Sequence, residues 1–180
     1  DPIVKRTVEG DLGVRVSASA LLDTVGEENI KKFLKIEKDS LKEKVNFLYK
    51  NTDFIPKVDE DIYFDAILSY FAVKLAVERH VGYLEVVYTP MGSVYFQYGK
   101  DLRDVKNIVL TGGPLIFNPY KKEILKGALY TPEEPFILKP KNPSFYIDKE
   151  YILFSLGVIG EINEDIALNL LEKYVGKLEA

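Results

Sequence analysis

The fold is decided by one stretch of the sequence, Asn107-Ile108-Val109-Leu110-Thr111-Gly112-Gly113-Pro114. Its first four residues are typical of a buried β-strand, and the two glycines end that strand. In α/β proteins ligands bind at the carboxyl ends of strands, and glycine there lets the backbone approach a ligand closely. A helix that follows the turn would also offer free N–H groups to an anion. A plain tight turn explains the same residues, and both interpretations stay open.

Periodic apolar residues before this stretch predict helices. One helix is expected over about 11–24, with Asp11 as its N-terminal cap and Gly26 as its stop. A long helix is expected over 59–80, and its apolar residues on several sides indicate packing on more than one face. The first half of the chain is therefore predicted to be helical.

The lysine-rich segment 27–57 is predicted to be a helical subdomain within a single domain that spans residues 1–180. Its apolar residues form two short amphipathic patterns, broken near Lys38-Asp39. Pro56 is expected to stop the second helix, because proline cannot continue the hydrogen-bond ladder.

The second half of the chain combines strands with helices. Residues 84–88 and 93–98 are rich in β-branched and aromatic residues and predict a hairpin. Residues 131–144 hold four prolines and are expected to form an extended surface loop. Further helices are expected over 119–129, 151–162 and 163–178, the last capped by Asn163. The predicted fold class is a helix-rich α/β structure with a small sheet.

Composition excludes several classes of function. The chain has no cysteine and one histidine, His80, so disulfides, thiolate sites and multi-histidine zinc sites are excluded. A formal charge of -4 argues against a nucleic-acid partner. No apolar run is long enough for a membrane span, which predicts a soluble, cytoplasmic protein with no membrane contact. The sequence opens with Asp1-Pro2 and no methionine, which suggests a piece of a longer protein.

A second candidate site is Glu9-Gly10-Asp11, ahead of the first predicted helix. Asp11 could act only as a helix cap. Alternatively, Gly10 opens a loop beside a phosphate, and Asp11 or Glu9 holds water around a metal ion. The third candidate, Glu78-Arg79-His80, ends the long helix, where cations complement the helix dipole.

These segments carry a resemblance to the GlmL/MutL family, the accessory proteins of glutamate mutase and related adenosylcobalamin-dependent mutases. The similarity covers nearly the whole chain except the lysine-rich 27–57. The strings that resemble the family are Lys5-Arg6-Thr7-Val8-Glu9-Gly10-Asp11-Leu12-Gly13-Val14-Arg15, Glu78-Arg79-His80-Val81-Gly82, Gln97-Tyr98-Gly99-Lys100-Asp101-Leu102, Thr111-Gly112-Gly113-Pro114-Leu115-Ile116, Ile124-Leu125-Lys126-Gly127-Ala128-Leu129, Leu138-Lys139-Pro140 and Asp148-Lys149-Glu150-Tyr151-Ile152.

The resemblance implies part of an actin-like (ribonuclease H-like) ATPase fold that binds ATP and magnesium. Thr111, Gly112, Gly113 and Pro114 match the adenosine motif of that superfamily. Glu9-Gly10-Asp11 resembles the loop that faces the phosphates and magnesium. Both phosphate motifs of the family are absent, so the chain resembles only a C-terminal part and is expected to lack half of the nucleotide cleft. Independent ATP hydrolysis is therefore not expected.

What the family implies for function is an ATP-dependent, chaperone-like reactivating factor for a cobalamin-dependent mutase. The partners that follow from it are the mutase and the missing N-terminal lobe of the same protein. The alternative is a non-catalytic interaction domain in which the glycines of the 111–114 turn are purely structural.

Overall fold

The computed structural model describes residues 9–34 and 38–178, which form a mixed α/β structure with two small sheets. Residues 5–8 of the family motif therefore lie outside the described residues. The helices are α1 (Ala18–Val25), α2 (Glu27–Lys31), α3 (Lys38–Lys50), α4 (Asp59–His80), α5 (Gly113–Phe117), α6 (Lys121–Leu125), α7 (Leu153–Ile162) and α8 (Glu164–Tyr174), with a short 3-10 helix at Lys126–Ala128. The strands are β1 (Tyr83–Thr89), β2 (Gly92–Tyr98), β3 (Asn107–Leu110), β4 (Ser144–Asp148) and β5 (Val175–Lys177).

The long helix α4 has the predicted bounds and lies at the centre of the structure. It contacts α1 as well as α5, α6 and the 3-10 helix, so its middle is buried on several sides, as its all-round apolar sequence indicated. Leu21, Ile30, Leu41 and Leu68 are fully buried in the core that α1, α2, α3 and α4 share. Burial of one such side chain stabilises the fold by about 1.5–3 kcal/mol.

Two helices in the lysine-rich segment are confirmed, but their ends differ from the prediction. Helix α3 begins at Lys38, so the break between the two helices comes earlier than the predicted break near Lys38-Asp39. The helix α3 ends at Lys50, well before Pro56, and proline is therefore not what stops it. A turn follows, in which the Phe54 amide donates to the Asn51 carbonyl.

The first helix begins at Ala18 and not near residue 11. Residues 9–17 form turns, and the Ser17 hydroxyl donates to the Gly10 carbonyl at 2.6 Å. The prediction that Asp11 caps this helix was therefore wrong. Gly26 does end the helix, with a positive φ of 81° that suits glycine.

The predicted hairpin is confirmed, with β1 antiparallel to β2 and Thr89 opposite Gly92. Close contact at its base requires glycine, because a Cβ on Gly82 would lie 2.1 Å from the Tyr98 carbonyl oxygen. The hairpin therefore joins the rest of the chain through a backbone contact that no side chain can enter.

The second sheet has the order β3-β4-β5, with β3 parallel to β4 and β4 antiparallel to β5. The sequence predicted β3 but neither β4 nor β5. The end of the chain was expected to be helical through residue 178, whereas α8 ends at Tyr174 and Val175–Lys177 pairs with β4. Strand β3 is less buried than expected, since Asn107 and Val109 are exposed.

The remaining predictions of the second half are confirmed in part. The helix expected over 119–129 begins at Lys121 and finishes as the 3-10 helix. Asn163 caps α8, and its side-chain oxygen accepts from the Ile166 amide at 3.0 Å. The proline-rich loop has no helix or strand before Ser144, but Leu138 and Lys139 in it are buried, so it is not a surface loop throughout.

Candidate functional site

The glycine turn joins β3 directly to α5. Gly112 has φ 112° and ψ 144°, a conformation that residues with a Cβ rarely adopt, so glycine is required there. A Cβ on Gly113 would lie 3.3 Å from the Tyr151 hydroxyl, and Pro114 occupies the first turn of α5. The helix has only five residues, so the dipole that it offers to an anion is small.

The turn borders a cleft of about 790 Å³. Gly113, Pro114 and Phe117 line one part of it, and Arg15 and Ile55 line another. This volume is in the range of small-molecule sites, which are mostly apolar with a few polar groups. The side chains of Phe117 and Ile55 are largely exposed, so the cleft offers apolar surface to a ligand.

Arg15 is a residue of the cleft that sequence reasoning did not single out. Its guanidinium binds the buried carboxylate of Asp65 on α4 and donates to the Phe54 carbonyl, at 3.4 Å from Nε and 3.3 Å from Nη2. It therefore holds the segment after α3 against α4. The only signal for it was its place in the family motif, because the 50-residue separation from Asp65 leaves no local pattern.

Asp148 connects the glycine turn with the start of α7. It is fully buried, and its oxygens accept from the Ile152 amide at 3.0 Å and the Leu153 amide at 3.1 Å. The Thr111 hydroxyl donates to the same carboxylate at 3.5 Å. The carboxyl ends of β3 and β4 and the beginning of α7 thus meet at one buried acid.

Glu9 and Asp11 lie beside the end of α4, where Arg79 binds both. The guanidinium donates to the two oxygens of Asp11 at 2.8 Å each and to Glu9 at 2.6 Å. The hydrogen bond from Arg79 lowers the pKa of Asp11, and the same bonds raise the pKa of Arg79. Gly10 stands between the two acids with open space where a Cβ would be.

The carboxylates of Glu9 and Asp11 suit magnesium only as partners of its bound water molecules, and not as direct ligands. Arg79 already occupies both oxygens of Asp11 in a bidentate pair. In the described ranges, no three His, Asp or Glu side chains converge in a way that could hold a metal ion. Magnesium usually keeps several waters and takes one or two carboxylates together with substrate phosphates. Glu9 and Asp11 can accept hydrogen bonds from such waters with their remaining lone pairs.

Each residue of the motif Glu78-Arg79-His80 contacts charged side chains, so the motif does more than complement the helix dipole. Glu78 binds Lys74 and, at 2.7 Å, Lys139 in the proline-rich loop. His80 Nε2 lies 3.4 Å from Lys100 Nζ. Lys74 lies at helical spacing, four residues before Glu78, but Lys139 and Lys100 are distant in sequence, so spacing along the helix could not reveal those two.

The structure places the two predicted sites in different surroundings. Glu9 lines a second cleft, of about 470 Å³, with Arg79 and His80, whereas Gly113 and Pro114 line the larger cleft. Val14 and Arg15, a few residues beyond Asp11, border the larger cleft as well.

In the part of the chain that the structure describes, every helix is too short or too polar to cross a membrane.

Comparison with known proteins identifies the family. No solved structure matches the chain. The chain is 39% identical over 178 residues to Protein MutL of Clostridium tetanomorphum, a match that covers 99% of this chain. It spans 38% of the length of that curated relative. The family model described as MutL protein matches residues 1–175. The chain therefore belongs to the MutL family.

Proposed function

We propose that this chain is the nucleotide-binding lobe of an ATP-dependent, chaperone-like accessory protein for an adenosylcobalamin-dependent mutase. The proposed architecture is the C-terminal part of an actin-like (ribonuclease H-like) ATPase, as one domain with residues 27–57 as a helical subdomain. The observation that carries the proposal is the cleft of about 790 Å³ beside Gly113 and Pro114. It lies where a glycine turn ends a parallel strand, which is a usual ligand position in α/β proteins.

The adenosine of ATP is the part of the ligand that suits this cleft. The backbone of Thr111, Gly112 and Gly113 would border it, since glycine permits close approach. The exposed side chains of Phe117 and Ile55 offer apolar surface for a planar base. Pro114 supports the turn with its fixed φ angle in the first turn of α5.

The phosphates and magnesium are assigned to the loop that contains Gly10. Glu9 and Asp11 would accept hydrogen bonds from metal-bound waters, while the hydrogen bonds from Arg79 hold both acids in place. Bound magnesium would neutralise the charge of the phosphates. The chain's own contribution is to position the two carboxylates.

The partners in this proposal are a cobalamin-dependent mutase and the missing N-terminal lobe. Membership of the MutL family supports the mutase. The matched relative is much longer than this chain, which supports a second lobe that completes the cleft. Binding of nucleotide between the lobes would change their angle and drive exchange of damaged cofactor on the mutase in the cytoplasm.

The second candidate function is a non-catalytic interaction domain. The hairpin of β1 and β2 favours it, because Tyr88, Tyr95 and Phe96 are large side chains exposed on a two-stranded sheet. Exposed aromatic side chains are enriched at protein interaction sites. In this alternative the glycine turn has no ligand.

Nucleotide binding to a full-length protein separates the two functions. Gly113→Val should abolish ATP binding in calorimetry and leave the far-ultraviolet circular dichroism unchanged, because Gly113 lines the cleft and a side chain there would keep the nucleotide away from its backbone, while the nearby Tyr151 hydroxyl can move aside. Gly176→Val is the matched control, since a Cβ there has open space in strand β5. Normal ATP binding by the folded Gly113 variant would leave only the interaction domain.

A further inference from the structure

Helix α7 has an apolar stripe that no described residue covers. Phe154, Val158 and Ile162 follow one another at four-residue spacing, so they share one side of the helix. They are 76%, 64% and 84% exposed. The helix packs against α8, and Leu156 on its other side is buried.

The sequence of α7 is that of a helix buried on all sides. Among its ten residues, Leu-Phe-Ser-Leu-Gly-Val-Ile-Gly-Glu-Ile, only Glu161 is charged. Surface helices of globular proteins normally carry polar residues opposite their buried side. The exposed apolar stripe is therefore unusual for a surface that remains in contact with water.

The stripe begins at the candidate site. Helix α7 starts where Asp148 binds the amides of Ile152 and Leu153, and the same acid meets Thr111 of the glycine turn. Phe154 is thus the second residue of a helix that leaves this point. Any domain that covers the stripe would therefore lie next to the glycine turn.

We infer that the α7 stripe (Phe154, Val158 and Ile162) is the surface on which the second lobe of the MutL-family protein docks. The inference rests on the proposed function only in requiring that a second lobe exists, and it does not require nucleotide binding. The partner surface is apolar and uncharged, because the three side chains of the stripe carry no charge and offer no hydrogen-bond donor or acceptor.

The size of the stripe favours a lobe of the same protein over a second copy of this chain. From the size of the three side chains and their exposure, the stripe presents about 400 Å². Two such surfaces in contact bury about 800 Å², which is in the range of interfaces between domains of one protein. It is less than specific complexes of separate proteins usually bury. The relative also carries more than half of its length outside the matched segment.

The test compares this chain with a full-length MutL-family protein that contains it, both without nucleotide. Hydrogen exchange should be slow for the α7 amides in the full-length protein and at least about tenfold faster in the chain alone, since docking adds to the protection. Equal exchange rates in the two proteins would overturn the inference.

A substitution on the stripe gives a second measurement. Val158→Glu should leave the Tm of the chain unchanged and lower the Tm of the full-length protein by several degrees, because the carboxylate would be buried only there. Met91→Glu, at a fully exposed methionine of the hairpin turn, is the matched control and should be neutral in both. An equal effect of Val158→Glu in both proteins contradicts docking, as does a dimer of the chain that this substitution dissociates. Failure of the unsubstituted full-length protein to bind ATP would refute the proposed nucleotide site and leave these results unaffected.

Discussion

Replacing Lys139 by methionine tests how the proline-rich loop is held on helix α4. Lys139 is 1% exposed, and its Nζ donates to Glu78 at 2.7 Å and to Glu134 at 3.0 Å. Lys74 binds the same two carboxylates. The four side chains form a network without net charge that joins α4 to the loop.

The expected loss of stability in Lys139→Met follows from how exposed Glu78 and Glu134 are. Methionine keeps the volume of the lysine stem but leaves Glu78 and Glu134 with one cation, Lys74. Removal of one partner from a fully buried ion pair costs about 3–5 kcal/mol. The side chains of Glu78 and Glu134 are 24% and 33% exposed, so water can replace part of the lost contact. We expect Lys139→Met to lower the free energy of unfolding by about 2 kcal/mol at pH 7.

The loss of stability caused by Lys139→Met should become smaller at acidic pH. Burial raises the pKa of Glu134, but the hydrogen bonds from Lys74 and Lys139 outweigh burial and lower it from 4.5 to about 2. A pKa that is lower in the folded state stabilises the fold above the unfolded value and loses this effect as the acid is protonated. The difference between the parent and Lys139→Met should therefore shrink as the pH falls from about 4.5 towards 2.

Urea unfolding followed by circular dichroism measures these free energies. Glu134→Gln in the Lys139→Met background restores a neutral network of Lys74 and Glu78, so the double variant should regain at least half of the lost stability. A loss below about 0.5 kcal/mol for Lys139→Met at pH 7, or additive effects of the two substitutions, would refute the reasoning.

Asp11→Asn should leave the thermal stability of the chain nearly unchanged, because Asp11 caps no helix and its ion pair with Arg79 is exposed to water, and should weaken magnesium-dependent ATP turnover in a full-length protein. Full turnover by that variant would remove Asp11 from the metal side of the site. Gly82→Ala should lower the Tm of the chain, since its Cβ would lie 2.1 Å from the Tyr98 carbonyl oxygen, and an unchanged Tm in a thermal melt would contradict this close contact. The purified chain should show no ATP hydrolysis in a phosphate-release assay, because it lacks both phosphate motifs of the family and its Gly10 loop would supply only part of the groups that position the triphosphate. Magnesium-dependent turnover that persists through a further purification step would contradict an incomplete site.

Features that depend on neighbouring residues could be predicted from the sequence. The bounds of α4 follow from an apolar period over 22 residues, and the hairpin follows from two β-branched runs around a turn. The cap of α8 at Asn163 follows from one side chain and the amide three residues later. The strand and glycine turn at 107–114 have the same local origin, and the family resemblance came from strings of adjacent residues.

The sequence by itself thus determined the bounds of α4, the cap of α8, the hairpin, the glycine turn and the family. Only the tertiary structure decided that Val175–Lys177 is a strand, because β4 supplies its hydrogen bonds from across the sheet. It also decided that Asp11 binds Arg79, 68 residues away, instead of capping α1, and that Lys139 is buried against α4. Strand pairing and ion pairing depend on which distant groups the packed helices bring within about 3 Å, and no local period of the sequence records that distance.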